Sequence, residues 1–154
     1  MSWPTESELE RLVARFRATT LTKPEWTHAA HLAVGAWHVD RMGALAARDD
    51  LRVAIRRLND AHGTINSDTS GYHETITHAY AVLISQFLAV TPGPLALQIQ
   101  ALLSGSLAAR DALFRFYSRD RLLGVEARRF LVDPDLRELA WPLALPEAEV
   151  RAAG

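Results

Sequence analysis

The segment "THAAHLAVGAWHVDRMGALAARDDLRVAIRRLNDAHG" (residues 27–63) decides the fold, because it carries start and stop signals for two consecutive helices. Thr27 is a predicted N-cap for a helix that ends near Met42. A second helix is predicted over residues 44–62, and the glycine that follows at position 63 is a typical helix stop. This part of the chain therefore predicts a helical hairpin.

Helical signals continue on both sides of that hairpin. Thr5 and Glu8 form a predicted capping box at the start of a helix from about Glu6 to Ala18. Further helices are predicted over about 72–90, 95–104 and 107–117, and no segment shows the two-residue alternation of a strand. The pattern predicts an all-α protein, a single-domain helical bundle of about six helices.

The chain is 154 residues long, which suits one domain covering 1–154. We expect a core over about residues 5–120. Residues from about 121 to 154 are expected to form a short helix and then a proline-interrupted extended tail that wraps the body. The same tail is a candidate surface for a homodimer.

Composition excludes several classes of function. The formal net charge of −1 provides no basic field for nucleic acid or for an anionic membrane surface. No apolar run approaches the roughly 18 residues needed to span a bilayer, and no signal-peptide core is found, so we expect a cytoplasmic protein. The absence of cysteine means that any metal site must use histidine, carboxylate and water.

Five of the six histidines lie in two short segments, 25–38 and 71–80. His28 and His31 are three residues apart, which on a helix places both side chains on one face within reach of a single ion. The alternative is that each imidazole only hydrogen-bonds to loop groups. His73 falls on the predicted buried stripe of a later helix, so it needs a polar partner inside the protein.

Together His28, His31 and His73 form a predicted metal site, with Glu74 beside them as a fourth ligand or as the catalytic general base. The metal would be iron, zinc or manganese. The reaction would be metal-assisted hydrolysis or oxidation of a small-molecule substrate, as in a mononuclear non-haem hydrolase or oxygenase. The same histidines could instead bind an anionic substrate without a metal.

Three further residues are candidates for substrate binding. Trp26 and Tyr72 each lie close before a predicted ligand, where an aromatic ring can stack on a substrate or fasten its helix to the core. Arg128 is the third candidate, and its alternative role is to pin the tail through salt bridges.

The segments "WTHAAHL" (26–32), "YHETIT" (72–77) and "ARRFLVDPDL" (127–136) resemble a family of small, uncharacterised bacterial proteins. That family has an H-x-x-H-L segment, a Y-H-E-T-x-T segment and an A-R-x-x-aromatic-x-x-P-D-L segment, in which this chain has Leu131 at the aromatic position. The resemblance covers roughly residues 20–140 and implies no particular reaction. Its pattern includes the following positions: His28, His31, Leu32, Tyr72, His73, Glu74, Thr75, Thr77, Ala127, Arg128, Pro134, Asp135 and Leu136.

Two other functions stay open at this point. The protein could be a non-catalytic helical binding or scaffold protein whose histidines are buried and hydrogen-bonded. It could also perform metal-free acid–base catalysis with His73 and Glu74, in which case activity would follow the titration of a histidine.

Overall fold

The computed structural model describes residues 2–143, and within that span the chain forms helices and loops without strands. The α-helices are α1 (Glu6–Arg17), α2 (His28–Met42), α3 (Ala44–His62), α4 (Glu74–Val90), α5 (Leu95–Ser104), α6 (Arg119–Leu122) and α7 (Val125–Arg129). The predicted all-α bundle is confirmed. The part of the predicted tail from residue 144 onward lies outside the described residues.

Local capping explains why the first helices begin and end where the sequence predicts. The Thr5 hydroxyl accepts a hydrogen bond from the Glu8 amide, and the Glu8 carboxylate accepts one from the Thr5 amide, so the predicted capping box is present. Thr27 caps α2 by accepting from the Ala30 amide at 3.1 Å. Gly63 ends α3 with a φ of +74°, a left-handed conformation that glycine adopts without strain.

Helices α2, α3 and α4 pack against one another and form the centre of the bundle. Helices α1 and α5 pack on α2, and the short α7 packs on α4. The largest apolar side chains that are almost fully buried are Phe16, Val34, Leu58, Leu83, Ile84, Ile99, Leu102, Leu107, Phe116 and Tyr117. Burial of this apolar surface is the main stabilising contribution to the fold.

The predicted helix over 107–117 is wrong. Two 3-10 turns, Ser106–Ala108 and Ala112–Arg115, occupy this region, and the backbone between them is extended at Ala109. Leu107 and Leu113 are both buried. On one straight helix, two residues six positions apart would point in directions about 120° apart, so both could not face the same core. The break after the first turn lets both side chains reach the core.

The chain after α7 packs back onto the body as far as it is described. The Leu136 amide donates to the carbonyl of Phe116, and the Trp141 amide donates to the Gln86 side chain at 2.7 Å. The Trp141 ring also contacts Phe87 edge to face, with ring centroids 5.2 Å apart. These contacts hold the described part of the tail against the body.

The described helices include none that is long and apolar enough on its own to cross a membrane. Helices α4 and α5 meet the length and composition criteria only as a pair, and a bend of 117° separates them.

Candidate functional site

The histidines of the H-x-x-H segment lie in the first turns of α2. His28 is the first residue of the helix, directly after the Thr27 cap, and His31 follows one turn later. The Nε2 atom of His28 lies 3.0 Å from the carbonyl oxygen of Ala108, and the Nδ1 atom of His31 lies 2.7 Å from that of Thr27. Both imidazoles are therefore anchored to the backbone, as the hydrogen-bonding alternative predicted.

These two contacts fix which ring nitrogen carries the proton. A carbonyl oxygen only accepts, so His28 donates from Nε2 and His31 donates from Nδ1. In a neutral ring the other nitrogen, Nδ1 of His28 or Nε2 of His31, keeps its lone pair. Neither of these nitrogens hydrogen-bonds to any residue within 2–143.

The surroundings favour the neutral form of both rings. Loss of hydration lowers the pKa of His31 to about 4, against the opposing effect of its hydrogen bond to Thr27. The ring retains an exposed surface because it lines a cavity, but protein crowds it on its other sides and Trp26 stacks on it at a centroid distance of 3.7 Å. Desolvation also lowers the pKa of His28, and the nearby Arg110 adds to the effect.

A cleft with a volume of about 390 Å³ runs between α2, α3 and α4 beside these histidines. Its apolar lining consists of Trp26, Leu32, Gly35, Val39, Leu51, Ile55, Ile76, Ala81 and Ile84. Its polar lining consists of Thr27, His28, His31, Thr77, Tyr80 and Arg110. Apolar walls with a few converging polar groups are typical of small-molecule sites in this size range.

Gly35 opens the cleft from the α2 side. A β-carbon at this position would meet the Ile84 side chain at 3.7 Å, an ordinary contact distance, so larger side chains would extend into the space between α2 and α4. Gly35, one turn after His31 on α2, therefore lines the cleft.

Tyr80 is another polar residue of the cleft wall. Burial raises the pKa of its phenol to about 12, so the hydroxyl keeps its proton under ordinary conditions. Its ring lies edge to face with His28 at a centroid distance of 6.2 Å. The hydroxyl makes no hydrogen bond to the rest of the described chain, which leaves it available to a ligand.

A second cavity of about 430 Å³ adjoins the cleft and shares part of its wall with it. The shared residues are Trp26, His31, Ile55, Ile76 and Thr77. Polar residues contribute most of the rest of its lining, including Lys23, Asn59, His62, Thr64, Tyr72 and His73. Trp26 and Tyr72 thus lie on cavity walls, where a ligand would reach them.

His73 has a different arrangement from the α2 histidines. It is the N-cap of α4, and its Nδ1 accepts a hydrogen bond from the Ile76 amide at 3.1 Å. Its Nε2 donates to the carbonyl of Leu122 at 2.8 Å. The side chain is buried, as predicted, but α4 begins at Glu74 rather than at Tyr72, and both ring nitrogens already have protein partners.

Glu74 is part of a partly buried ion pair. Arg52 donates to both carboxylate oxygens, at 2.8 and 2.5 Å, and the Tyr72 hydroxyl donates to the carboxylate at 2.9 Å. These contacts, led by the hydrogen bond from Arg52, lower the pKa of Glu74. A carboxylate held in this way is a weak proton acceptor, so the geometry gives little support to Glu74 as a general base.

Arg128 connects α7 to the loop before α4. Its guanidinium donates to the carbonyl of Gly71 at 2.8 Å and to that of Tyr72 at 3.5 Å. It lies on neither the cleft nor the second cavity. The contact that the structure gives it is to backbone carbonyls, and it joins the tail region to the body.

Across residues 2–143, no three or more His, Asp or Glu side chains are grouped so that they could hold a metal ion. His28 and His31 share a cleft, whereas His73 points its two nitrogens at α4 and at Leu122. Two other histidines lie apart from these: His38 is fully buried beside Arg17, and His62 bonds to the Leu21 carbonyl.

Sequence reasoning missed the positions of Arg110 and Tyr80 on the cleft wall. Tyr80 has the spacing of a core residue on α4, and only the packing against α2 shows that it lines a cleft. Arg110 follows the 3-10 turn Ser106–Ala108 and is far along the chain from His28. No local sequence pattern indicates that the two residues lie close together.

Comparison of the chain with protein families, with curated proteins and with solved structures finds no match. The resemblance to a bacterial family stays a prediction.

Proposed function

We propose that the protein binds a small, mainly apolar molecule in the cleft between α2, α3 and α4. The observation that carries this proposal is the cleft itself, with nine apolar or glycine residues in its wall beside the free ring nitrogens of His28 and His31. Its volume of about 390 Å³ exceeds the roughly 150 Å³ that holds a benzene molecule in a protein core. A bicyclic ring system or a medium-length alkyl chain would therefore fit.

The proposal is supported by two features of the wall. Ligand burial against side chains such as Leu51 and Ile84 supplies a favourable apolar contribution of about 25 cal/mol per Å². The unpaired polar atoms of His31 and Tyr80 supply orientation, because an apolar site uses few polar groups to fix how its ligand lies.

Gly35→Leu tests the proposal by filling the cleft from α2 while improving helix propensity at that position. The probes are 2-naphthol and 2-methoxynaphthalene, titrated into ¹⁵N-labelled protein. We expect saturable shifts of cleft amides in the wild type and none in Gly35→Leu. Ala46→Leu, which adds the same side chain to an exposed position on α3, is the matched control and should bind both probes normally.

Failure of the wild type to bind any neutral bicyclic probe would contradict the proposal. Binding that survives in Gly35→Leu would place the ligand elsewhere. Circular dichroism of each variant confirms that its helices are intact before binding is compared.

A metal-dependent hydrolase or oxygenase that uses the same cleft is the second candidate. It is favoured by one observation: His28 and His31 each donate one ring N–H to a carbonyl and keep the opposite nitrogen free, which is how metal-ligating histidines are usually held. With His73 occupied by other partners, the ion would need water or substrate to complete its shell.

Elemental analysis of untagged protein, purified without chelators, tests this candidate. Iron, zinc or manganese near one equivalent, lost in His31→Phe but retained in His78→Phe, would support it. A metal content that is the same in all three proteins would count against a site at His31.

A further inference from the structure

We infer that the cleft selects a ligand whose head group donates a hydrogen bond, a hydroxyl or a neutral amino group, to the lone-pair nitrogens of His31 and His28. The inference rests on the proposed function and names the chemical class of its ligand. It follows from the tautomers that the two backbone carbonyls impose, because each leaves an unpartnered acceptor and not a donor on a ring that lines the cleft.

The other polar groups of the wall are consistent with a hydroxyl. The Thr27 hydroxyl accepts from the Ala30 amide, and the Thr77 hydroxyl donates to the His73 carbonyl, so both have partners. The Tyr80 phenol has none and can donate to a ligand oxygen. One hydroxyl can give its proton to an imidazole nitrogen and accept from a phenol, whereas an ether can only accept.

Arg110 is the group that argues for an anion instead. It is exposed at the outer wall of the cleft, where water screens its charge. His28 and His31 are neutral and offer no positive charge to an anion. A carboxylate would therefore gain one solvated cation and would place its charge against two nitrogen lone pairs.

The discrimination arises when the ligand excludes water. An apolar body that covers an imidazole nitrogen removes its hydration, and without a donor in return the lone pair is left unpaired. Sites built to hydrogen-bond one group reject an analogue that lacks it far more strongly than they reject a missing methylene. We expect a donor head group to improve affinity by about tenfold or more over its methyl ether.

The test uses three probes with one naphthalene body: 2-naphthol, which donates, 2-methoxynaphthalene, which only accepts, and 2-naphthoate, which is anionic. Dissociation constants are measured at pH 7.5 by NMR titration. The inference predicts that 2-naphthol binds most tightly, by about tenfold or more. Equal binding of the naphthol and its ether would overturn the inference and leave the proposed function standing.

The remaining outcomes also decide. Tightest binding of 2-naphthoate would overturn the inference and assign recognition to Arg110. Binding of none of the three would overturn the inference and the proposed function together.

His31→Phe assigns the effect to its residue. The variant retains a flat ring to stack on Trp26 and removes the acceptor nitrogen. We expect the preference for 2-naphthol over 2-methoxynaphthalene to disappear, because the naphthol loses its acceptor and the ether no longer leaves a lone pair unpaired. His78→Phe is the matched control, because His78 accepts from Arg48 and lies on neither cavity.

Retention of the full naphthol preference in His31→Phe would refute the assignment to His31. If that variant does not fold, His28→Phe makes the same comparison at the second acceptor. If neither variant loses the preference for 2-naphthol, the inference is overturned.

Discussion

His73→Ala should destabilise the fold strongly, because this imidazole joins two parts of the structure. The side chain caps α4 through the Ile76 amide and donates to the carbonyl of Leu122 in α6. Loss of a side-chain N-cap costs about 1 kcal/mol. A buried carbonyl left without its donor costs about 1–3 kcal/mol. We expect the free energy of unfolding to fall by about 2–4 kcal/mol, the sum of these two effects.

His73→Asn separates the two contributions. Asparagine is among the best N-caps and should restore the bond to the Ile76 amide, but its side chain is too short to reach Leu122 as histidine does. We expect it to recover about 1 kcal/mol of the loss. His78→Ala, at a half-buried position on α4, is the control and should change stability by less than about 1 kcal/mol.

Urea unfolding followed by circular dichroism measures these differences. The reasoning fails if His73→Ala unfolds at the wild-type midpoint, or if the asparagine variant is no better than the alanine variant. In the first case the ring nitrogens would be free for another role, and His73 would return as a candidate metal ligand.

Three other perturbations test the description of the site and its supports. Lowering the pH from about 6.5 towards 4 should reduce the free energy of unfolding, because the pKa of His31 is near 6.5 in the unfolded chain and about 4 in the folded protein. Urea midpoints measured across this range give the decline. The decline should be shallower in His31→Phe. Gly71→Ala should lower the free energy of unfolding by about 1–3 kcal/mol, measured by thermal or urea unfolding, because the φ of Gly71 is +80° and the new β-carbon would lie 2.5 Å from Asn66. Gly43→Ala is the control: its φ is similar but the space around it is open, so the loss should be smaller. Glu74→Ala should lower the free energy of unfolding by about 2 kcal/mol in the same assay. This is below the roughly 3–5 kcal/mol typical of a fully buried ion pair, because water reaches Arg52. An unchanged midpoint would show that the ion pair does not stabilise the fold.

The fold was predictable where its signals are local. The Thr27 cap, the stop at Gly63 and the periodic apolar residues between them act within a few residues, and both helices of the hairpin have the predicted bounds. The 107–117 region was not predictable in this way. Whether Leu107 and Leu113 share a helix depends on the core that both must reach, and that core is made by other helices.

The candidate site was predictable in part for the same reason. The spacing of His28 and His31 places them together on α2, whatever surrounds them. The partners that determine what the residues can do come from elsewhere in the chain: Ala108 for His28, Leu122 for His73 and Arg52 for Glu74. Long-range contacts of this kind leave no periodic signal in the sequence.

The two histidine segments show why a ligand-like pattern at a helix start has two meanings. His28, His31 and His73 all occupy the beginning of a helix, where free backbone amides invite a polar side chain. At His73 the ring accepts a hydrogen bond from the Ile76 amide and donates one to the Leu122 carbonyl, so both ring nitrogens have partners in the fold. At His31 the Nδ1–H donates to the Thr27 carbonyl, and Nε2 has no partner among the described residues, on a ring that lines the cleft. The position of the second ring nitrogen, rather than the spacing of the histidines, therefore determines which of them can take part in recognition.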